Sequence, residues 1–388
     1  MKRILILLDN NFTNDRRVNR EAKTLVDSGY SVDLVCIKDK NLPEKELIDG
    51  INVLRWLNED IFDIKKRNCF DNYAKYINDN LEFDIIHAND HTMLHLGSKL
   101  KKINSNYILI YDSHELFHCW PLNISNFNSL TILIKSFLVR KYQIIREKRN
   151  RKYIDYIITV NQSLAADLSN YLFAKKEITV VRNIPEKTNS IQKTNILREK
   201  FNISGITKIL VFIGANIYKK TLNIEHAIDE FGNKENTAFV IICKDNLNSK
   251  PVKEYVKEHH FDNIFFHDII HPSEISQYLS SADVGLVPTW NKKDLSYWYA
   301  LDNKLFEYIN ANIPVLATQQ PEYVNIVKKY QCGICVNPDH KNAYIDGFKE
   351  ILEKYEYFRN NTVSASQDLI WENEEQKLID LYKKINDE

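Results

Sequence analysis

The feature that most constrains this chain is a series of short apolar runs separated by amphipathic stretches. Ile4–Leu8 leads into a polar loop, then Val18, Ala22, Leu25 and Val26 at helical spacing, Gly29 at a C-cap position, and a second run at Val32–Ile37. This order reads as a βαβ unit. Runs without polar alternation suit strands buried on both faces, as in parallel sheets covered by helices. Further runs at Ile51–Trp56, Asp84–His87, Tyr107–Tyr111, Tyr156–Val160 and Ile178–Val181 predict an α/β domain over residues 1–184. Residues 185–205 are polar and contain Pro185, as a connection would. A second series then runs through Ile209–Ile213, Phe239–Cys243, Ile264–Phe266, Val284–Val287, Val315–Ala317 and Ile334–Val336, predicting a domain over 206–365. The last helical stretch, 366–388, has no strand to follow it. The expected class is α/β, two open parallel sheets facing across a cleft, with ligands bound beyond the carboxyl ends of the strands.

A length of 388 residues suits two such domains, and 44% apolar with 27% charged residues is the balance of a globular protein. No window approaches the ~18 consecutive apolar residues of a membrane span. Ile4–Leu8 stops at Asp9, too short for a signal-peptide core, so a cytoplasmic protein is expected. Of six cysteines, Cys332 and Cys335 form the one close pair. They lack the second ligand pair of a zinc site and read as buried strand residues. The 52 basic and 52 acidic side chains cancel overall, yet residues 1–184 hold 28 basic and 23 acidic ones. Much of that excess lies in Lys135, Arg140, Lys141, Arg146, Lys148, Arg149, Arg151 and Lys152. Around them, positions 130, 133, 134, 137, 138, 142 and 145 are apolar at helical spacing. The segment 130–152 reads either as a helix facing the core or as one lying on an anionic lipid surface. Nucleic-acid motifs are absent, so no nucleic-acid partner is expected.

The segment Asp302-Asn303-Lys304-Leu305-Phe306-Glu307-Tyr308, followed by Ile313-Pro314-Val315, opens a helix just past the carboxyl end of a strand. Free N–H groups there suit a phosphate, Lys304 can add charge, and Glu307 could accept two ribose hydroxyl hydrogen bonds. The alternative is a capped surface helix with solvated Lys and Glu.

Asn303-Lys304-x-Phe306-Glu307-Tyr308 with Pro314-Val315 resembles the donor-binding signature of the group 1 (family 4) glycosyltransferases. Asp15-Arg16-Arg17-Val18-x-Arg20-Glu21-Ala22 with Gly29, Tyr111-Asp112-Ser113-His114-Glu115, Ile157-Ile158-Thr159-Val160-Asn161 and Arg182-Asn183 are similar to further segments of that family. The resemblance implies the GT-B fold, two Rossmann-like domains with the C-terminal helix packing back on the first. It also implies a nucleotide-sugar donor, UDP-sugar favoured, no separate cofactor, and usually a retaining outcome. Glu307 would then bind the nucleotide ribose, with Asn303, Lys304, Lys219, Asp302 and Tyr299 around the donor. His114, Lys220 and Glu115 would be catalytic, and Asp15, Arg16, Asp90 and His91 would lie on the acceptor side.

Two departures stand out. Tyr299 occupies the place of the family's outer glutamate, and Asp302 stands where the branch often has proline. Asp302 or Asp294 is a candidate replacement carboxylate. Lys219-Lys220-Thr221-Leu222, following Gly214-Ala215-Asn216, resembles the family's basic-glycine-leucine segment, with Lys220 as the cation for the leaving diphosphate. No Asp-x-Asp occurs, so metal-independent chemistry is the expectation. His87, Asn89, Asp90, His91 and the Asp112/His114/Glu115 cluster fall at strand ends, where a histidine near neutral pKa could exchange a proton or hold a sugar hydroxyl. Tyr297-Trp298-Tyr299 could stack on a pyranose or anchor the donor loop. The resulting expectation is transfer of a sugar to a cell-surface glycan or lipid-linked acceptor, at the inner face of a membrane. A nucleotide-sugar 2-epimerase and a non-catalytic ligand-binding protein are the rivals.

Overall fold

A computed structural model describes residues 2–13, 15–63, 66, 68–119, 130–172, 177–187, 191–217 and 223–387. They form two compact units: residues 1–183 with 374–388, and residues 184–373.

Unit 1 contains an eight-stranded sheet in the order β3-β4-β2-β1-β5-β6-β7-β8. The strands are β1 (Arg3–Leu7), β2 (Ser31–Ile37), β3 (Lys45–Ile48), β4 (Ile51–Leu57), β5 (Ile85–Asn89), β6 (Ile108–Ser113), β7 (Tyr156–Thr159) and β8 (Ile178–Val180). All pairs are parallel except β3 with β4. Its helices are α1 (Arg16–Asp27), α2 (Cys69–Asn80), α3 (Asp90–Ile103), α4 (Leu130–Asn150) and α5 (Gln162–Leu172). The sequence runs locate seven of the strands, but β3 has no apolar run. Its four residues, Lys-Glu-Leu-Ile, form a short edge hairpin with Leu47 exposed.

Unit 2 holds a six-stranded parallel sheet in the order β11-β10-β9-β12-β13-β14. These strands are β9 (Lys208–Ile213), β10 (Thr237–Ile242), β11 (Ile264–His267), β12 (Val284–Val287), β13 (Val315–Thr318) and β14 (Gly333–Val336). Around them lie α6 (Ile196–Phe201), α7 (Ile224–Phe231), α8 (Lys250–Glu258), α9 (Ile275–Ser280), α10 (Leu295–Trp298), α11 (Asn303–Asn310), α12 (Pro321–Tyr330), α13 (Ala343–Glu353) and α14 (Tyr355–Asp368). Successive strand side chains point to opposite faces. Ile209, Val211 and Ile213 therefore join one core while Leu210 and Phe212 join the other, which is why an unbroken apolar run is needed. Cys332 is buried in the first of these cores, Cys335 packs against it, and both are free thiols.

The segment 185–205 is held to unit 2. Leu197 of α6 is buried, and the Asp283 carboxylate accepts hydrogen bonds from Lys193 Nζ (3.0 Å), Arg198 Nη2 (3.1 Å) and Ile209 N (2.8 Å). The final helix, α15 (Trp371–Asp387), starts in unit 2 and continues into unit 1. There Glu374 accepts from Arg182 Nη2 (2.7 Å) and Nε (3.0 Å), and Thr24 donates to Glu375 (2.7 Å). No helix among the described residues is long and apolar enough to cross a membrane.

Candidate active site

In unit 1 the chemistry collects at the carboxyl ends of three neighbouring strands, β1, β5 and β6. Register pairs Leu7 with Ala88 and Asn89 with Asp112, so the loops beyond these strands leave the sheet side by side. Asp112 is fully buried and has three partners. Arg17 Nη2 donates to both its oxygens (2.8 and 3.0 Å), and His87 Nε2 (3.2 Å) and His114 Nε2 (3.1 Å) approach Oδ2. His87 Nδ1 faces the Tyr382 hydroxyl from α15 at 2.7 Å. The carboxylate takes donors only, so His87 carries its proton on Nε2 and the tyrosine donates to Nδ1. Arg17 Nε closes the network on Glu21 (2.8 Å). Glu21, His87 and Asp112 have the residue types of a metal site, but the Arg17 guanidinium bonds both carboxylates and supplies their counter-charge.

This surrounding sets the charges. Burial would raise the Asp112 pKa, but Arg17 and His114 hold it well below the ordinary range. Burial and Arg17 would lower the pKa of His114, yet Asp90 and Asp112 outweigh them and lift it to about 9. His114 is therefore an imidazolium at neutral pH, a cation held between two carboxylates, and of the two roles left open by the sequence this disfavours proton exchange near neutral pH. Asp90 grips it twice: Oδ1 accepts from the His114 backbone N–H (3.0 Å) and Oδ2 lies 3.4 Å from Nδ1. Asp90 adopts φ of +59° to do so, a conformation that costs free energy and recurs where function requires it.

The other acceptor-side candidates take different parts. Asp15 caps α1, accepting from Val18 N (3.1 Å) and Asn10 Nδ2 (2.9 Å). Arg16 is exposed; its neighbour Arg17 is the buried one. His91 stacks on Phe117 with ring centroids 3.6 Å apart, and burial with the nearby Arg146 charge depresses its pKa to about 3. Its ring is thus held neutral and packed. Glu115 is exposed beside His114. Arg17, Glu21 and Tyr382 escaped the sequence reading of the site. The available signal was helical phase: Arg17 and Glu21 sit four apart, among buried Val18, Ala22 and Leu25.

In unit 2, α11 is seated on the sheet by Tyr308. Its ring lies against Gly285, where an added Cβ would come within 2.2 Å of the Tyr308 Cγ. Its hydroxyl donates to Leu286 O (3.0 Å) and accepts from Ile213 N (3.0 Å). Glu307, the preceding residue, is half-buried one turn into the helix, and Asn303 is exposed at its first position. Asp302 accepts from Thr289 Oγ1 (2.8 Å) and Lys304 Nζ (2.6 Å). Burial would raise its pKa, but the Lys304 charge and these bonds keep it below the ordinary value. Asp302 thus neutralises Lys304 and is not a spare carboxylate, and Lys304 is not an isolated charge. Asp294 caps α10 through Ser296 N (3.0 Å). Trp298 packs edge-on against Trp290 at 5.2 Å, which favours the anchoring role for that aromatic trio; Tyr299 is the half-buried C-cap of α10. Lys219, Lys220 and Thr221 lie outside the described residues.

Comparison with known proteins places this geometry in a family. The model for group 1 glycosyl transferases matches residues 207–354, and that for glycosyltransferase family 4 matches residues 15–184. No curated protein matches the sequence. Among solved structures, sucrose-phosphate synthase from Thermosynechococcus elongatus superposes with a TM-score of 0.78 at 16% identity, over 99% of each chain. A glycosyltransferase from Rickettsia africae gives 0.73 at 13% identity, over 99% of this chain and 98% of that one. HepE from Anabaena, in complex with UDP, gives 0.71 at 12% identity, over 98% of this chain and all of its own. With two parallel-sheet units and both family models matched along its length, the chain belongs to the group 1, family 4 glycosyltransferases of the GT-B fold.

Proposed function

We propose that the enzyme transfers a sugar from a nucleotide sugar, with a UDP-sugar favoured, to a cell-surface glycan or lipid-linked acceptor of the capsule, lipopolysaccharide or teichoic acid type. The observation that carries the donor reading is α11, anchored through Tyr308 with Glu307 one turn from a free N-terminus. Helix N–H groups can receive the diphosphate and the Glu307 carboxylate the ribose hydroxyls. That HepE was crystallised with UDP and with UDP-glucose supports trying uridine donors first.

In the proposed step the acceptor oxygen bonds to the anomeric carbon as its bond to the diphosphate oxygen breaks. In a retaining, front-face course the departing phosphate takes the acceptor proton. Lys220, with Lys219 beside it, would stabilise that phosphate, and cationic His114, its two ring N–H groups turned to Asp112 and Asp90, would lend positive charge at the strand ends of unit 1. Metal independence is part of the proposal, motivated by the missing Asp-x-Asp.

Membrane contact is assigned to α4. Its inner side is polar: Glu147 accepts from Tyr111 (2.7 Å) and Tyr171 (2.8 Å). Ile134, Phe137, Leu138 and Ile145 are exposed among basic residues, the arrangement of a helix lying on anionic lipid.

The test is a thermal-shift screen against UDP, GDP, ADP, CMP and TDP, since a ligand at 100 times its Kd stabilises by about 2.7 kcal/mol. Product analysis with UDP-glucose and alkyl glycosides follows. Glycoside elongation supports the reading, whereas epimerised sugar formed without acceptor replaces it with the isomerase.

A further inference from the structure

The loop after β1 is braced from several sides. Asn10 Nδ2 donates to Asp15 (2.9 Å), and Asn10 Oδ1 accepts from Phe12 N (2.8 Å). Asn11 Nδ2 donates to Asp39 (2.8 Å), Thr13 donates to Asn11 (2.7 Å), and Arg55 Nε donates to Asn11 O (3.2 Å). Ile37 N donates to Asn10 O (2.9 Å), and Phe12 takes φ of +57°, an outlier for a bulky residue. Within this braced loop one polar side chain is left over. Asp9 is half-buried, and no other residue donates a hydrogen bond to its carboxylate among the described residues. The neighbouring carboxylates differ: Asp15 caps a helix, Asp90 holds His114, and Asp112 is shared by Arg17, His87 and His114.

Register carries Asp9 to the same edge as these groups. Leu7 pairs with Ala88, so two residues on from each rung stand Asp9 and Asp90, and His114 follows β6 on the next strand. A half-buried carboxylate with no donor from another described residue, next to a braced loop and within the field of a cationic imidazole, is open to donors from a ligand that displaces water.

We infer that Asp9 is the acceptor-binding carboxylate, accepting hydrogen bonds from non-reacting hydroxyls of a neutral acceptor sugar. The chemistry selects that class. A phosphorylated terminus would meet Asp9 and Asp90 together, whereas sugar hydroxyls supply the missing donors. The assignment rests on the glycosyltransfer reading above. The charged groups facing Asp9 are Asp90 at the start of α3, His114 after β6 and Asp15 at the start of α1. Burial and Asp90 lift its pKa to about 6, against the partial opposition of His114. Ionised Asp9 therefore disfavours the folded state, a penalty that grows from the ordinary carboxylate range and is complete above about pH 6.

The test compares wild type with Asp9→Asn, using UDP-glucose as donor and octyl β-D-glucopyranoside, below its micelle concentration, as acceptor. The variant should raise the acceptor KM about tenfold or more while leaving the donor KM unchanged. It should also erase the acidic limb near pH 6 in kcat/KM for the acceptor, and Asp9→Glu should restore part of the affinity. In the absence of substrates, Asp9→Asn should melt above wild type at pH 8 and equal to it at pH 4. An unchanged acceptor KM with an unchanged limb, or a variant that melts below wild type at pH 8, overturns the assignment. If wild type transfers to no glycoside, the glycosyltransfer reading fails first. Binding of octyl β-D-glucopyranoside to wild type and Asp9→Asn, followed by NMR, then decides Asp9: equal affinity rejects it.

Discussion

Asp90 and Asp112 together fix the position and the charge of His114, so His114 should respond to substitution of either carboxylate. Asp112→Asn removes the nearer anion, leaving burial and Arg17 to lower the His114 pKa against Asp90 alone. The alkaline limb of the transfer profile should fall well below about 9, read from initial rates against pH. Because the folded pKa lies above the ordinary histidine value, the stability from charged His114 is complete below about pH 6.5. It is lost as pH rises through about 9, so melting temperature should decline across that window in wild type and less in Asp112→Asn. On the donor side, Glu307→Gln should weaken nucleotide affinity by about 1.5–3 kcal/mol, measured as the Kd for UDP, without loss of fold. The residue types at these sites were visible in the sequence, but their charges were not. The His114 pKa depends on Asp90 at the end of a different strand, and Arg17 resembles a solvated helix cation until its phase against Val18 and Ala22 is considered.

Whole elements were easier to recognise. Each long parallel strand must feed two apolar cores, and that demand leaves an unbroken run such as Ile209–Ile213. β3 escapes because an edge hairpin needs no such run. For α11 the decisive contact is Tyr308 on Gly285. Gly285→Ala should displace the ring, cost about 1–3 kcal/mol of stability, and weaken UDP binding in the same variant. Helix α4 illustrates the limit of periodicity, because an apolar stripe at helical spacing does not say which side is inward. Here Glu147 and Asn150 turn in while Phe137 and Leu138 face out. Replacing Phe137 and Leu138 with serine should reduce co-sedimentation with anionic vesicles, and high salt should weaken what remains, since surface charge is screened within ~8 Å at physiological ionic strength. Transfer to a water-soluble glycoside should be unaffected.

At the scale of the molecule, the chain leaves unit 1 after Asn183, builds unit 2, and returns through α15. Tyr382 is fully buried in that return, its hydroxyl against His87 Nδ1. Tyr382→Phe should leave His87 Nδ1 unpaired and cost about 1–3 kcal/mol, detectable by denaturant unfolding. The return also orders biosynthesis. Residues 1–183 emerge from the ribosome first, yet Arg182 and His87 find Glu374 and Tyr382 only after the whole of unit 2 has been translated. N-terminal domains usually fold first during synthesis. In this one the Arg182–Glu374 and His87–Tyr382 bonds can close only once α15 has been made, so a chain cut short inside unit 2 would lack both.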